Sequence, residues 1–475
     1  MNFNSFSYIL LFLPIVFIAC NLARRLPIPK APQICILLAS IVFYSWSKPS
    51  HLAYLLGSVV VNWQIAHLIG DAAQPRRKRY LQAGLVLNLG FLCTFKYANF
   101  FLSNIPYLVH HHFQAPDLAF PLGISFFTLS QIMYLVDCYE ELMPPSSLFD
   151  HATFVSFFPY VISGPISRAR RILHQFPSLN GAVGPDADTL ARAMYLFTLG
   201  LIKKVVFADA FSKAADYGFG NIANLSTFEA WCFASAFALQ MYFDFSGYSD
   251  MAIASAMFLG IEVPRNFDGP YRATSIIEFW QRWHITLTSF ITTYIYTPLL
   301  QSFGRVTLAT SAIVTLIAMT LAGLWHGPNW TFVIFGAIHG TGLAVNQYWR
   351  KKKMPRMPKP VGWLLTFALV DIAFVFFRSP NLRTAGLFLS RSFVGAKMFG
   401  TGNLLKMNGI GPMLVVLALS QVAGIVAVSC GKSSDQLSHE FKPTWSSYAA
   451  TAAYALISVL YLNSNVAKPF LYFAF

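Results

Sequence analysis

Apolar residues come in long runs separated by short polar or basic stretches, at about 6–23, 32–47, 51–70, 81–102, 119–138, 152–166, 189–211, 227–260, 274–300, 306–325, 328–348, 361–378, 409–429 and 447–463. A helix needs roughly 20 apolar residues to cross a bilayer. The pattern therefore predicts about 11–13 spans, with the shorter runs as re-entrant or interfacial pieces. No interval between runs has room for a soluble domain of ordinary size. No internal repeat is visible, so residues 1–475 read as a single integral membrane domain of the all-α polytopic class.

One apolar stretch carries more chemistry than its neighbours. Leu321-Ala322-Gly323-Leu324-Trp325-His326-Gly327-Pro328-Asn329-Trp330 runs on to Phe335-Gly336-Ala337-Ile338-His339-Gly340. Proline inside a helix removes a backbone hydrogen bond but suits the first turn of one. The predicted arrangement is a helix ending near Trp325, a second beginning at Pro328, and His326 at the break. Irregular backbone at membrane depth is tolerated where it is buried in protein or lines a wet cavity. An ionisable side chain there is a functional candidate. The plainer alternative is a capping or core histidine.

Composition agrees with the pattern. The chain is 56% hydrophobic and only 11% charged, which excludes an ordinary soluble globule. Its net charge of +15 sits in short clusters between apolar runs, so it does not signal nucleic-acid binding. The six cysteines form no Cys-x-x-Cys pair, so neither a disulfide framework nor a zinc site is expected. No basic region precedes the first apolar run, whereas Arg24 and Arg25 follow it. That favours an uncleaved first span with its N-terminus outside and residues 71–80, with their Arg76-Arg77-Lys78-Arg79 cluster, inside. His110-His111-His112 then falls on an outer loop, read as solvated rather than as a metal site. Ser163-Gly164-Pro165, just before Arg168, Arg170 and Arg171, marks a short re-entrant or interfacial segment. Lys203-Lys204 either snorkel to the cytoplasmic interface or meet an anionic cofactor. Lys351-Lys352-Lys353 and Arg356, among three prolines, form another cytoplasmic-type connection.

Two further motifs put polar groups into apolar runs. In Gln240-Met241-Tyr242-Phe243-Asp244-Phe245-Ser246-Gly247-Tyr248-Ser249-Asp250, Gln240, Asp244 and Tyr248 share one helical face. They either line a cavity or hold a neighbouring helix. In Glu278-Phe279-Trp280-Gln281-Arg282-Trp283-His284, Glu278 and Arg282 form an i, i+4 pair. Trp280, His284 and Leu287 are expected on another face. His284 is either an interfacial anchor or a second polar group of the site.

In order along the chain, Pro121-Leu122-Gly123-Ile124-Ser125-Phe126, Gly164-Pro165, the aspartate motif from Tyr242 to Ala252, Phe279-Trp280-Gln281-Arg282-Trp283-His284 and Leu324-Trp325-His326-Gly327 resemble the membrane-bound O-acyltransferase (MBOAT) family. The likeness is greatest to its bacterial alginate O-acetyltransferase branch, with the D-alanyl transfer protein of teichoic acid synthesis a more distant relative. It extends from the first span to Phe376-Phe377-Arg378. The resemblance implies a ring of tilted helices around a central funnel, a cytoplasmic side that receives the acyl donor, and a multi-pass place in the bacterial inner membrane. It matches the catalytic histidine to His326 and a second histidine to His284, with Asp244, Tyr248, Asp250, Trp325 and Asn329 as substrate-binding or structural support. His339 also matches a family position, in a motif where Phe335 replaces the usual tryptophan. Thr292-Thr293 stands where relatives carry Arg-Asp, which puts any contact of that charged pair in doubt.

The implied reaction moves an acetyl group from a thioester, acetyl-CoA in this branch, to a hydroxyl of an extracytoplasmic polysaccharide. Transfer is direct or through a partner acetyltransferase protein. No cofactor is held permanently and no metal is expected. A positioned base helps a weak hydroxyl nucleophile, typically by 10²–10⁴-fold. Histidine suits that task near neutral pH. His326 is the expected base, and His284 orients it or polarises the thioester carbonyl. No Gly-x-Ser-x-Gly elbow argues for a serine acyl-enzyme. A polysaccharide or lipid transporter would share the broken helices and central polar groups, but the inverted repeats common in transporters are not apparent. A non-enzymatic scaffold of an exopolysaccharide complex would leave His326 unexplained.

Overall fold

The computed structural model describes residues 1–105, 120–181, 184–394 and 431–464, with isolated positions between 397 and 429 and at 470–471. His110, His111 and His112, Cys430 and most of the 409–429 run lie outside these residues. Every regular element among the described residues is a helix. Helices satisfy their own backbone, as a chain in hydrocarbon requires.

Among the described residues four helices are long and apolar enough to cross a membrane by length and composition: His51–Asp71, Arg76–Leu102, Leu308–His326 and Lys359–Arg378. Ser7–Ala23 and Ala31–Ser45 are shorter apolar helices. Other expected spans differ for local reasons. The 274–300 run is divided into Ile276–Arg282, Ile285–Phe290, Ile291–Tyr296 and Thr297–Ser302. The 227–260 run is one 32-residue helix, Thr227–Phe258, whose apolar character is diluted by two aspartates and several hydroxyls.

The chain divides into two compact units, each assembled from three segments. Met1–Phe197, Tyr248–Arg265 and Pro443–Tyr448 form the first. Its core holds a cluster of aromatic rings: Phe3, Tyr8, Phe12, Phe43 and Phe158 lie with ring centroids 4.8–6.4 Å apart. The buried Tyr8 hydroxyl reaches Ser255 Oγ at 2.7 Å. Asp150 joins Lys30 at 2.9 Å and Gln33 at 2.7 Å. The Pro121-Leu122-Gly123 motif is a helix entrance. Tyr44 donates to the Leu122 carbonyl and the Leu122 N–H to His51 Nδ1. Gly123 has φ +70°, and a Cβ there would meet the Val161 carbonyl oxygen at 2.5 Å, so only glycine fits. Around Gly164-Pro165, residues 157–167 run without helix and are buried, as expected for irregular backbone at membrane depth.

Thr198–Gly247, Asn266–Lys442 and Ala449–Phe475 form the second unit. Leu308–His326 and Trp330–Lys351 make a helical hairpin whose turn is Gly327-Pro328-Asn329. The two helices touch backbone to backbone. A Cβ on Gly323 would lie 2.2 Å from the Phe332 carbonyl oxygen, and one on Gly336 2.3 Å from that of Met319. Small residues permit this approach where no hydrophobic force drives helices together in lipid. Helices Lys359–Arg378 and Leu382–Phe393 complete the hydrophobic core of this unit. Ser235 Oγ donates to buried Asp371 at 2.6 Å, and Tyr271 to the Ala238 carbonyl at 2.7 Å.

Candidate active site

The site is built where the second unit departs from regular helix. His326 is the last residue of its helix, and Gly327 continues in extended conformation. Asn329 restarts the helix: its Oδ1 accepts the Thr331 N–H at 3.0 Å while its Nδ2 donates to the Pro380 carbonyl at 2.8 Å. A side-chain acceptor at this position satisfies one of the unpaired donors of a helix start. Asn329 therefore serves as structural support for the break.

The His326 ring is buried among aromatic rings. Trp325 lies 5.0 Å away, Phe377 5.3 Å and Phe335 5.9 Å, all edge-on. His284 also lies near Trp325, with ring centroids 6.4 Å apart. Trp325 thus neighbours both expected catalytic histidines.

His284 has φ +43°, a left-handed conformation uncommon for a side chain other than glycine. Such backbone persists where the surroundings over-determine it. Asn266 supplies that constraint. Its backbone carbonyl accepts the Ile285 N–H at 2.9 Å. Its Oδ1 accepts from the Thr286 N–H at 3.3 Å and the Thr286 hydroxyl at 2.9 Å, and lies 3.0 Å from His284 Nδ1. A backbone N–H can only donate, which fixes this amide atom as the oxygen. Nδ1 therefore carries the hydrogen, and in the neutral ring Nε2 presents a lone pair. Phe245 packs edge-on against the same ring at 4.7 Å.

The helix before His284 ends at Arg282, so Trp280 and His284 do not share a face, contrary to the spacing argument. Trp280 instead donates its indole N–H to Nδ1 of His339 at 3.3 Å. His339 is fully buried inside Trp330–Lys351, between Phe279 and Phe335. Its Nε2 has no hydrogen-bond partner among the described residues. The Glu278–Arg282 pair forms as expected, at 3.1 Å. Glu278 also accepts the Thr274 N–H, and Arg282 donates to the Asp268 carbonyl, so the pair fastens the 266–274 loop that carries Asn266.

The aspartate motif divides between two tasks. Asp244 bonds Lys204 Nζ at 2.7 Å and accepts the Leu471 N–H at 2.9 Å, while Lys204 also meets Asp209 at 3.0 Å. Lys204 is buried and paired, so it does not snorkel. Gly247 lets the helices close on this ion pair, since a Cβ would lie 2.7 Å from the Gly200 carbonyl oxygen. Tyr248 and Asp250 belong to the first unit, where both are buried and Tyr248 lies 4.9 Å from Phe3. Thr292 and Thr293 are exposed on a π-helical turn, with Thr292 bonded back to the Thr288 carbonyl. Asn266 is the site residue that motif reading missed. The only local signal is its place in a polar loop ahead of the motif.

Residues 72–384 match the model of the membrane-bound O-acyltransferase family. The chain is 34% identical to a peptidoglycan O-acetyltransferase of Helicobacter pylori, over 100% of this chain and 97% of that protein. It is 33% identical to a protein of Azotobacter vinelandii named Probable alginate O-acetylase AlgI, over 100% of both chains. A teichoic acid D-alanyltransferase of Streptococcus thermophilus is 29% identical over 54% of this chain and 68% of that protein. The matched region contains both histidines beside Trp325, the break after His326 and the Asp244 ion pair. This multi-pass membrane protein is an O-acyltransferase and belongs to the MBOAT family.

Proposed function

We propose that the protein moves an acetyl group from acetyl-CoA on the cytoplasmic side of the bacterial inner membrane to hydroxyls of an extracytoplasmic polysaccharide, directly or through a partner protein. The observation that carries this reading is that the His284 and His326 rings lie 6.4 and 5.0 Å from Trp325, next to the one break in the 308–351 hairpin. The relatives named as O-acetyltransferase and O-acetylase support an acetyl group and a carbohydrate polymer.

In the proposed step the acceptor oxygen attacks the thioester carbonyl carbon while His326 takes its proton. The carbon–sulfur bond then breaks, and the departing thiolate receives a proton. General base assistance is typically worth 10²–10⁴-fold. His284, with Nδ1–H held by Asn266, offers a lone pair at Nε2 in its neutral form. That supports an orienting role over polarisation of the carbonyl, which needs a donor. Incubation of the purified protein with acetyl-labelled CoA and an acceptor glycan tests the reading. Labelled glycan, or slow thioester hydrolysis when the acceptor is omitted, is expected. A protein that neither binds nor hydrolyses acetyl-CoA contradicts it and leaves transport as the better account.

A further inference from the structure

A cavity of about 1320 Å³ lies in the second unit, beside the helix that carries His339 but away from the Trp325 centre. Its walls are the Trp330–Lys351 and Lys359–Arg378 helices and the 274–276 segment. Its aliphatic lining is Ile276, Ile334, Ile338 and Leu369, interspersed with Thr341, Asn346 and Thr366. Its outer rim is also apolar and open: Val345 is 58% exposed and Leu365 53%. The other end is cationic. Arg350, Lys353, Arg356 and Lys359 line it, and the lining contains no carboxylate. Among the described residues none of these four cations is ion-paired.

The cationic end is held in shape. Lys353, two residues past the helix end, has φ +51°, and the Met354 N–H returns to the Trp349 carbonyl at 3.1 Å. The Trp349 indole N–H donates to the Pro355 carbonyl at 2.9 Å, folding the proline-bearing connection over the helix end. From Ile334 to Arg350 is sixteen residues on one helix, about 24 Å at 1.5 Å per residue. One leaflet of a bilayer with its headgroups is about 20–22 Å thick. The groove therefore has about the length of one lipid, with cations at one end and aliphatic side chains along the rest.

We propose that this groove binds one anionic phospholipid of the cytoplasmic leaflet, its phosphate on Arg350, Lys353, Arg356 and Lys359 and its acyl chains along Ile334, Ile338 and Val345. Charge complementarity selects the occupant. Basic pockets between membrane helices on the cytoplasmic side favour anionic headgroups. A coenzyme A thioester shares the phosphates, but its polar nucleotide and pantetheine have no use for a laterally open aliphatic trough. The proposal does not rest on the acetyl-transfer reading.

The test measures retention of labelled phosphatidylglycerol and phosphatidylcholine by the delipidated full chain in detergent. Phosphatidylglycerol is expected to saturate near one per chain and to raise the thermal midpoint, with phosphatidylcholine weaker. The combined change Arg350→Gln, Lys353→Gln, Arg356→Gln and Lys359→Gln is expected to weaken phosphatidylglycerol by at least about ten-fold. A control at Arg25→Gln, Arg76→Gln, Lys78→Gln and Arg79→Gln removes as many exposed charges and is expected to change it less than about two-fold. Val345→Trp fills the trough with every charge intact and is expected to displace the lipid. It decides the matter if the quadruple variant fails to fold. Equal retention of both lipids, no difference between the two quadruple variants, unchanged retention in Val345→Trp, or displacement of the lipid by free coenzyme A would each overturn the proposal.

Discussion

Two buried polar clusters of the second unit show how differently the same cost can be met. Around Lys204, each charge faces its opposite: Asp244 lies at 2.7 Å, Asp209 at 3.0 Å, and the second oxygen of Asp244 takes a backbone N–H. Both carboxylates sit on helices, and so does the backbone that presents Lys204. Around Trp325 aromatic rings pack against the two histidines. The histidines there sit on irregular backbone, one in the left-handed region and one at a helix end. A buried ion pair holds elements together and is destabilising to break, because the partner left behind stays buried. The contacts around Trp325 instead fix ring orientation, as Asn266 does for the His284 ring at Nδ1. Burial of a polar group does not by itself mark a catalytic centre, since Asp244 and His339 are buried as well as His284 and His326.

The sharpest way to break this contrast is His326→Ala. Transfer is expected to fall by about 10²–10⁴-fold, with the thermal midpoint of the purified protein nearly unchanged. Asp244→Asn should show the opposite balance. Loss of one partner of a buried pair costs about 3–5 kcal/mol, read as lower expression and a lower thermal midpoint, with activity falling as the folded fraction falls. A stable, fully folded and inactive Asp244→Asn protein would move that aspartate into the catalytic set. His284→Ala is expected to lose about 10²-fold, the scale of a misplaced reacting group. Asn266→Ala, which frees the same ring without removing it, should lose less. Initial rates at saturating donor compare the two variants, and an Asn266→Ala loss equal to that of His326→Ala would contradict a positioning role. His339→Ala is the mildest. It removes the acceptor of the Trp280 indole, and a loss of about 1–3 kcal/mol is expected for a buried donor left unpaired. Activity per folded molecule should be retained.

The hairpin was legible in the sequence because its signals are local. Gly327-Pro328 cannot continue a helix, and the structure interrupts the helices at residues 327–329. Gly340 and Gly342 invite close packing, and their absent Cβ atoms face Leu316 and Leu369 at 3.0 and 2.6 Å. The i, i+4 spacing of Glu278 and Arg282 likewise became an ion pair. Contacts between distant segments were not legible. Lys204 and Asp244 are forty residues apart, and nothing in the periodicity of either run pairs them. Asn266 lies eighteen residues before His284, in a loop without periodicity. The faces assigned to Trp280 and His284 failed because a helical pattern was extended through His284, where the backbone turns left-handed. That conformation is imposed by Asn266, not by the residue's own preference.

The most direct measurement compares His326→Ala with His339→Ala, two histidines thirteen positions apart on one hairpin. Both purified variants are given acetyl-labelled CoA and acceptor glycan, and each rate is divided by the folded fraction at the assay temperature. Base catalysis at the chain break predicts a rate for His326→Ala at least about 10²-fold below that of His339→Ala. Equal rates, or a folded His339→Ala protein without activity beside an active His326→Ala one, would contradict it.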